Sequence, residues 1–173
     1  FEMAKKVKDV LQNGTFRVDL YKGSPVDIEI IGAVKNVVGL VMGFARTLEE
    51  YDENTGAFIL QKGLSEASLL CGAMGGDPKA IMQLCGVGDY GLLMNSMKSR
   101  NVEAGYLFGK GEWTIADLMD PKRTIEGVRT VKAARELALE YRVFMPLTRA
   151  AYRVLYEGMD PALAVRGLLL RNS

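Results

Sequence analysis

The stretch from Ile28 to Leu48, IEIIGAVKNVVGLVMGFARTL, is a long, predominantly apolar helix pattern with a lysine, Lys35, near its middle. A charge in apolar surroundings is costly unless something requires it there. On a wheel of 3.6 residues per turn, Gly32, Gly39 and Gly43 form one narrow stripe, with Lys35 and Asn36 flanking it. Each glycine inside a helix costs roughly 0.5–1 kcal/mol against alanine. Three on one face therefore point to a close approach, by a ligand or by another backbone. One reading is a helix that presents an ammonium and an amide into a crevice. The other is a lysine snorkelling to water beside a stripe that serves helix packing. A transmembrane helix needs about 20 apolar residues with few charges. Glu29, Lys35, Asn36 and Arg46 interrupt the run, so no membrane span is expected.

The remainder of the chain must cover this helix, and 173 residues, 49% hydrophobic, suffice for one soluble domain with a real core. The net charge of +1 offers no field for nucleic acid or an acidic membrane. There is no histidine, which removes the commonest general acid or base and the commonest metal ligand. Proton chemistry falls to Lys, Asp, Glu, Tyr or Cys. Cys71 and Cys85 form no CxxC pattern, so neither a metal site nor a disulfide scaffold is expected, and reduced thiols in a cytoplasmic protein are. The chain opens on Phe1 without a signal-peptide pattern, and it reads as the later part of a longer polypeptide.

Taken in order, Glu2 to Gln12 has an amphipathic helix pattern stopped by Asn13-Gly14. Thr15 to Tyr21 alternates with Phe16, Val18 and Leu20 on one face, which predicts a strand whose partners lie outside this chain. Gly23-Ser24-Pro25 leads into the long helix. A second long helix is expected over Gly56 to Met74, and a short one over Pro78 to Cys85. Gly86 to Asn101 reads as a glycine-rich, polar segment around Asp89. Its Ser99-Arg100-Asn101 offers a hydroxyl, a guanidinium and an amide in succession, and an arginine fork matches phosphate oxygens. An ordinary loop with a helix cap reads equally well. Helix is expected from Val102 to Phe108, then a capping box at Thr114 and Asp117, a turn over Arg123 to Arg129, and helices over Val131 to Tyr141, Thr148 to Tyr156 and Asp160 to Leu170. Arg149, Arg153, Arg166 and Arg171 read as solvated helix faces.

Several motifs together resemble one family. IGAVKN (31–36), QKGLSEASLLCGAMGGDP (61–78), GVGDY (86–90) followed by SRN (99–101), IEGVRTVKAA (125–134) and MPLTRAAYRVLYEGMDP (145–161) are similar, in order and spacing, to segments of NAD(P)-dependent glycerol-3-phosphate dehydrogenases. The resemblance spans essentially the whole chain. It implies a mainly α fold: an all-helical bundle of the phosphogluconate-dehydrogenase C-terminal-domain type. Residues 1–24 would be one helix and one strand left from a Rossmann nucleotide-binding domain, and 25–173 the substrate-binding and catalytic domain.

The same resemblance implies interconversion of dihydroxyacetone phosphate and sn-glycerol 3-phosphate with NAD or NADP, whose main anchors belong to the Rossmann half, and no metal. Lys35 matches the catalytic general acid/base. Lys35, Asn36, Asp89, Ser99, Arg100 and Asn101 match substrate-binding positions, and Arg100, Thr124 and Glu126 match cofactor contacts. The expected partners are the substrate pair and the chain's own Rossmann domain, with a homodimer open, and no nucleic acid. The family's Leu-Thr-Cys-Thr is replaced here by Leu92-Leu93-Met94-Asn95, so Leu93 stands where a threonine hydroxyl is usual. Two alternatives remain: a dehydrogenase of another small hydroxy or keto acid, and a non-catalytic helical dimerisation module of the same fold.

Overall fold

The fold is that of a computed structural model, which describes residues 1–95 and 97–170. Its central element is α2 (Pro25–Ala45), preceded by α1 (Glu2–Leu11). The start of α2 is fixed locally. Pro25 occupies its first turn, the Ser24 hydroxyl accepts from the Val26 N–H, and the Asp27 carboxylate accepts from the Ser24 N–H. Both halves of a capping box are thus present. The second half of α2 is buried on every side, with Val37, Val38, Leu40, Val41, Met42, Phe44 and Ala45 almost wholly excluded from solvent. A helix covered all round loses the need for a polar face, which explains its apolar length. It is the one described helix long and apolar enough to cross a membrane, and two thirds of that stretch (67%) is buried inside the fold.

α3 (Glu53–Ala73), α5 (Arg100–Gly109), α7 (Glu126–Glu140), α8 (Pro146–Glu157) and α9 (Pro161–Leu170) pack around α2, with the short α4 (Asp89–Asn95) and α6 (Ile115–Met119) between them. The glycine stripe divides along its length. A methyl group on Gly43 would strike the Val102 carbonyl and the Tyr106 N–H of α5, and Gly105 lies as closely under the Leu40 carbonyl. Gly43 therefore serves backbone contact between α2 and α5 and Gly39 makes room for the Asn101 side chain, whereas Gly32, a turn before Lys35, faces open space. Gly43→Ala is expected to destabilise the fold by about 1–3 kcal/mol, because backbone cannot yield as a side chain can. Gly32→Ala should cost no packing, and thermal unfolding of the two variants makes the comparison.

Polar cross-ties fix the rest. Asp27, at 1% exposure, accepts from the Tyr21 hydroxyl at 2.5 Å and from the Asp77 N–H at 3.0 Å, besides its bond to Ser24. These bonds, the one from Tyr21 foremost, hold its carboxyl below the usual carboxylate range. They pin the segment before α2 and the turn after α3 to the same helix end. Thr114 and Asp117 form the capping box read from the sequence.

Several expectations need correction. Thr15 to Tyr21 forms no strand, and no strand occurs among the described residues. Alternation prepares a strand, but only a neighbouring strand supplies its hydrogen bonds. Pro78–Met82 is a 3-10 helix, and Leu84–Gly88 a single π-type turn kinked at Gly86, instead of one α-helix. Asp89 opens a helix instead of lying in a loop. The turn expected over 123–129 ends at Ile125, since α7 already begins at Glu126. Arg166 is tied to Glu50 at 2.5 Å instead of being only solvated, and Arg171 lies outside the described residues.

Candidate active site

Four separate segments supply the sequence-predicted residues, and three of them reach Lys35 or Asn36 of α2. Lys35 and Asn36 come from α2, Asp89 from the first residue of α4, Ser99 to Asn101 from the start of α5, and Thr124 to Gly127 from the entry to α7. Lys35 Nζ lies 2.5 Å from Asp89 Oδ2, with the two side chains 21% and 40% exposed. The pair is thus partly withdrawn from water and still reachable. Asp89 is held in register by its neighbour: the Tyr90 ring is fully buried and its hydroxyl donates to the Ile31 carbonyl at 2.7 Å, one turn ahead of Lys35. Beside Asp89 a cleft of about 450 Å³ opens, bordered by Ile28 of α2, Gln83, Leu84 and Cys85, and residues 19–21.

A second set of contacts starts at the next residue of α2. Asn36 Oδ1 accepts from Asn101 Nδ2 at 3.0 Å, and Asn101 Oδ1 accepts from the Gly127 N–H at 2.9 Å. Asn101 is only 7% exposed. The absence of a side chain at Gly127 is what allows this, since a methyl group there would press on Asn101 Oδ1 and the Asn36 carbonyl. Asn36 Nδ2 donates to Glu126 at 3.3 Å, Glu126 meets Arg100 at 3.4 Å, and the other arm of Arg100 donates to the Thr124 hydroxyl at 2.7 Å. Arg100 and Glu126 are 57% and 59% exposed. So open an ion pair is screened by water and worth little, and the guanidinium can exchange it for another anion. Thr124 adopts φ of +51°, a left-handed conformation that a β-branched residue rarely takes. Such strain costs about 1–3 kcal/mol and persists only where the surroundings impose it. Ser99 caps α5, its hydroxyl facing the Val102 N–H.

Of the eight residues singled out from the sequence, all but Ser99 are linked by side-chain contacts into two chains, one through Lys35 and one through its neighbour Asn36. Tyr90 and Gly127 were not anticipated as functional. The only signal for either was adjacency to Asp89 and to Glu126. Leu93 is 2% exposed and belongs to the core, while its carbonyl accepts from Arg46 at 2.9 Å. The departure at that position is thus a packing feature in this chain.

A family model described as NAD-dependent glycerol-3-phosphate dehydrogenase C-terminus matches residues 25–166. The chain belongs to this family. The glycerol-3-phosphate dehydrogenase [NAD(P)+] of Desulfitobacterium hafniense is 38% identical over 171 residues, which is 99% of this chain and 48% of that protein. The one from Pelotomaculum thermopropionicum is 40% identical over the same share. The chain thus spans about half the length of the curated relatives it matches. Among solved structures, the glycerol-3-phosphate dehydrogenase of Coxiella burnetii superposes with a TM-score of 0.90 at 29% identity, over 98% of this chain and 52% of that one. DsGPDH of Dunaliella salina shares the fold, with a TM-score of 0.77 at 20% identity, over 95% and 30%. The all-helical C-terminal-domain architecture of glycerol-3-phosphate dehydrogenases is therefore present here, covering the family match from α2 into α9. No group of three or more candidate metal ligands gathers among the described residues.

Proposed function

We propose that this chain is the substrate-holding half of an enzyme that interconverts dihydroxyacetone phosphate and sn-glycerol 3-phosphate with NAD or NADP. The observation that supports the reading is the Lys35–Asp89 pair, with Asn36, the next residue of α2, joined to Asn101 and through Glu126 to Arg100. Reduction of a ketone places negative charge on its oxygen. The Lys35 ammonium, paired with Asp89 and still 21% exposed, polarises that oxygen and delivers the proton. In the oxidation direction Lys35 accepts it back. Asp89 orients the amine and accepts from a substrate hydroxyl. Arg100 binds the phosphate through a charge-assisted fork, with Ser99 and Asn36 beside it. Asn101 spends one amide hydrogen on Asn36 and its oxygen on Gly127, which leaves a second hydrogen for the substrate.

When bound, the nicotinamide supplies or takes up the hydride. The donor set at the α7 entry suits such a ring: a guanidinium, a hydroxyl and a carboxylate can serve both ends of a carboxamide, so Arg100, Thr124 and Glu126 would hold it from this side. Residues 1–24 fall before the family match, and α1 buries none of its residues, leaving Met3, Val7, Val10 and Leu11 exposed along it. That apolar face is suited to packing on a nucleotide-binding half, to which we assign residues 1–24. Two free thiols fit a cytoplasmic setting.

Arg100→Ala in the intact enzyme is expected to raise KM for dihydroxyacetone phosphate by about 10- to 100-fold, the worth of hydrogen bonds to a charged group. KM for unphosphorylated dihydroxyacetone should change far less. Equal effects on both would remove the phosphate assignment, and failure of the intact wild type to reduce dihydroxyacetone phosphate would remove the substrate.

A further inference from the structure

Away from this site, α3, α8 and α9 enclose a second cleft of about 430 Å³, a size within the range of small-molecule pockets. Its apolar part includes Phe144, Met159 and Leu168, and its charged part is Lys62, Arg149 and Arg153, with no acidic residue in the lining. The chain as a whole carries a net charge of only +1, so three cations at one hollow are a local concentration. Arg149 and Arg153 stand four residues apart on α8, where like charges repel by a few tenths of a kcal/mol. Arg153 has one exposed partner, Glu157, at 3.5 Å. Arg149 makes no ion pair among the described residues. Lys62 sits over the Phe58 ring. The nearby buried carboxylate, Glu66, is turned the other way: its oxygens accept from the Leu147 N–H and from the Thr148 N–H and hydroxyl. Its oxygens are thus committed to the start of α8, and of the three rim cations only Arg153 has an ion-pair partner among the described residues, the exposed Glu157.

We infer that this cleft binds a soluble single-chain amphiphile, an anionic phosphate or carboxylate head on a short apolar body. The head lies between Arg149, Arg153 and Lys62, and the body lies over Met159 and Leu168. An arginine pair that repels itself across an uncharged floor is relieved by an anion, and the exposed Phe144 ring is covered by the chain.

Octyl phosphate tests this, titrated into the full-length protein by calorimetry. One-site saturable binding is expected, weakening as salt is raised because the rim is solvent-exposed. Octanol and inorganic phosphate, each lacking one half of the recognition, should bind at least about tenfold more weakly. Arg149→Glu/Arg153→Glu, both surface positions, should lose about tenfold or more in affinity with an unchanged circular dichroism spectrum. Arg100→Ala should bind as the wild type does, which separates this cleft from the proposed substrate site whether or not that proposal stands. Binding that Arg100→Ala abolishes and the double variant retains would overturn the inference. So would an absence of saturable binding, attachment only to anionic phospholipid vesicles, or self-association that covers Phe144.

Discussion

Lys35→Ala in the intact enzyme is expected to lower kcat for dihydroxyacetone phosphate reduction by about 10³-fold, within the 10²- to 10⁴-fold contribution of a positioned general acid. KM should move little, because the ammonium matters most when charge develops on the carbonyl oxygen. The geometry sets the size of the effect. Lys35 reaches from a helix locked by its own burial, and it is aimed by Asp89, whose position in turn depends on the buried Tyr90 bond to Ile31. No histidine exists anywhere in the chain to take over the proton. Lys35→Arg should preserve the charge yet remain poorly active, since a guanidinium does not release its proton at working pH. A folded Lys35→Ala enzyme retaining kcat within about threefold of wild type would falsify the acid/base role.

Glu66→Ala is expected to destabilise the fold by about 3–5 kcal/mol, because it strands polar groups that have no access to water. Glu66 is 2% exposed on α3, and it receives the Leu147 N–H at 2.5 Å, the Thr148 N–H at 3.0 Å and the Thr148 hydroxyl at 2.7 Å. Those amides open α8, where Pro146 already removes one donor, so a single carboxyl caps the helix from a neighbouring one. At about 2–4 °C per kcal/mol, the melting temperature should fall by roughly 10 °C or more.

The same group makes stability depend on pH. Burial pushes its carboxyl up to about 7 against the ordinary 4.5, more than its hydrogen bonds pull it down. The folded state therefore holds a proton that the unfolded chain has lost between those values. Stability from this group is full below about pH 4.5, falls as pH rises to about 7, and is level above, a change of about 3 kcal/mol. Glu66→Gln cannot ionise and should remove that slope. Denaturant unfolding across the interval measures both, and an unaltered slope in Glu66→Gln would assign the pH dependence elsewhere.

The helices were legible because each carries its own instructions. Ser24-Pro25 with Asp27, Thr114 with Asp117, and Asp160-Pro161 are start signals spelled out within a few residues. Apolar spacing then says how far each helix runs. The segment Thr15 to Tyr21 carried an equally clear local pattern and still formed no strand, since sheet pairing needs a partner that spacing cannot create. Asp89 is the intermediate case. Its glycine-rich neighbourhood suggested a loop, yet the kink at Gly86 delivers the chain directly into α4.

Sequence alone determined most of the long helices, the burial of the Ile28–Leu48 stretch and, through ordered motifs, the residues on which the proposed chemistry rests. Those are properties of short windows and their order. Tertiary structure decided what each feature is for. It split one glycine stripe into a packing seam at Gly39 and Gly43 and an open wall at Gly32. It also turned Leu93 into core, made Glu66 the cap of a helix it does not belong to, and brought Arg149 and Arg153 to face Lys62. Each of these depends on which surfaces meet, and contacts between residues far apart along the chain are fixed only when the whole core closes.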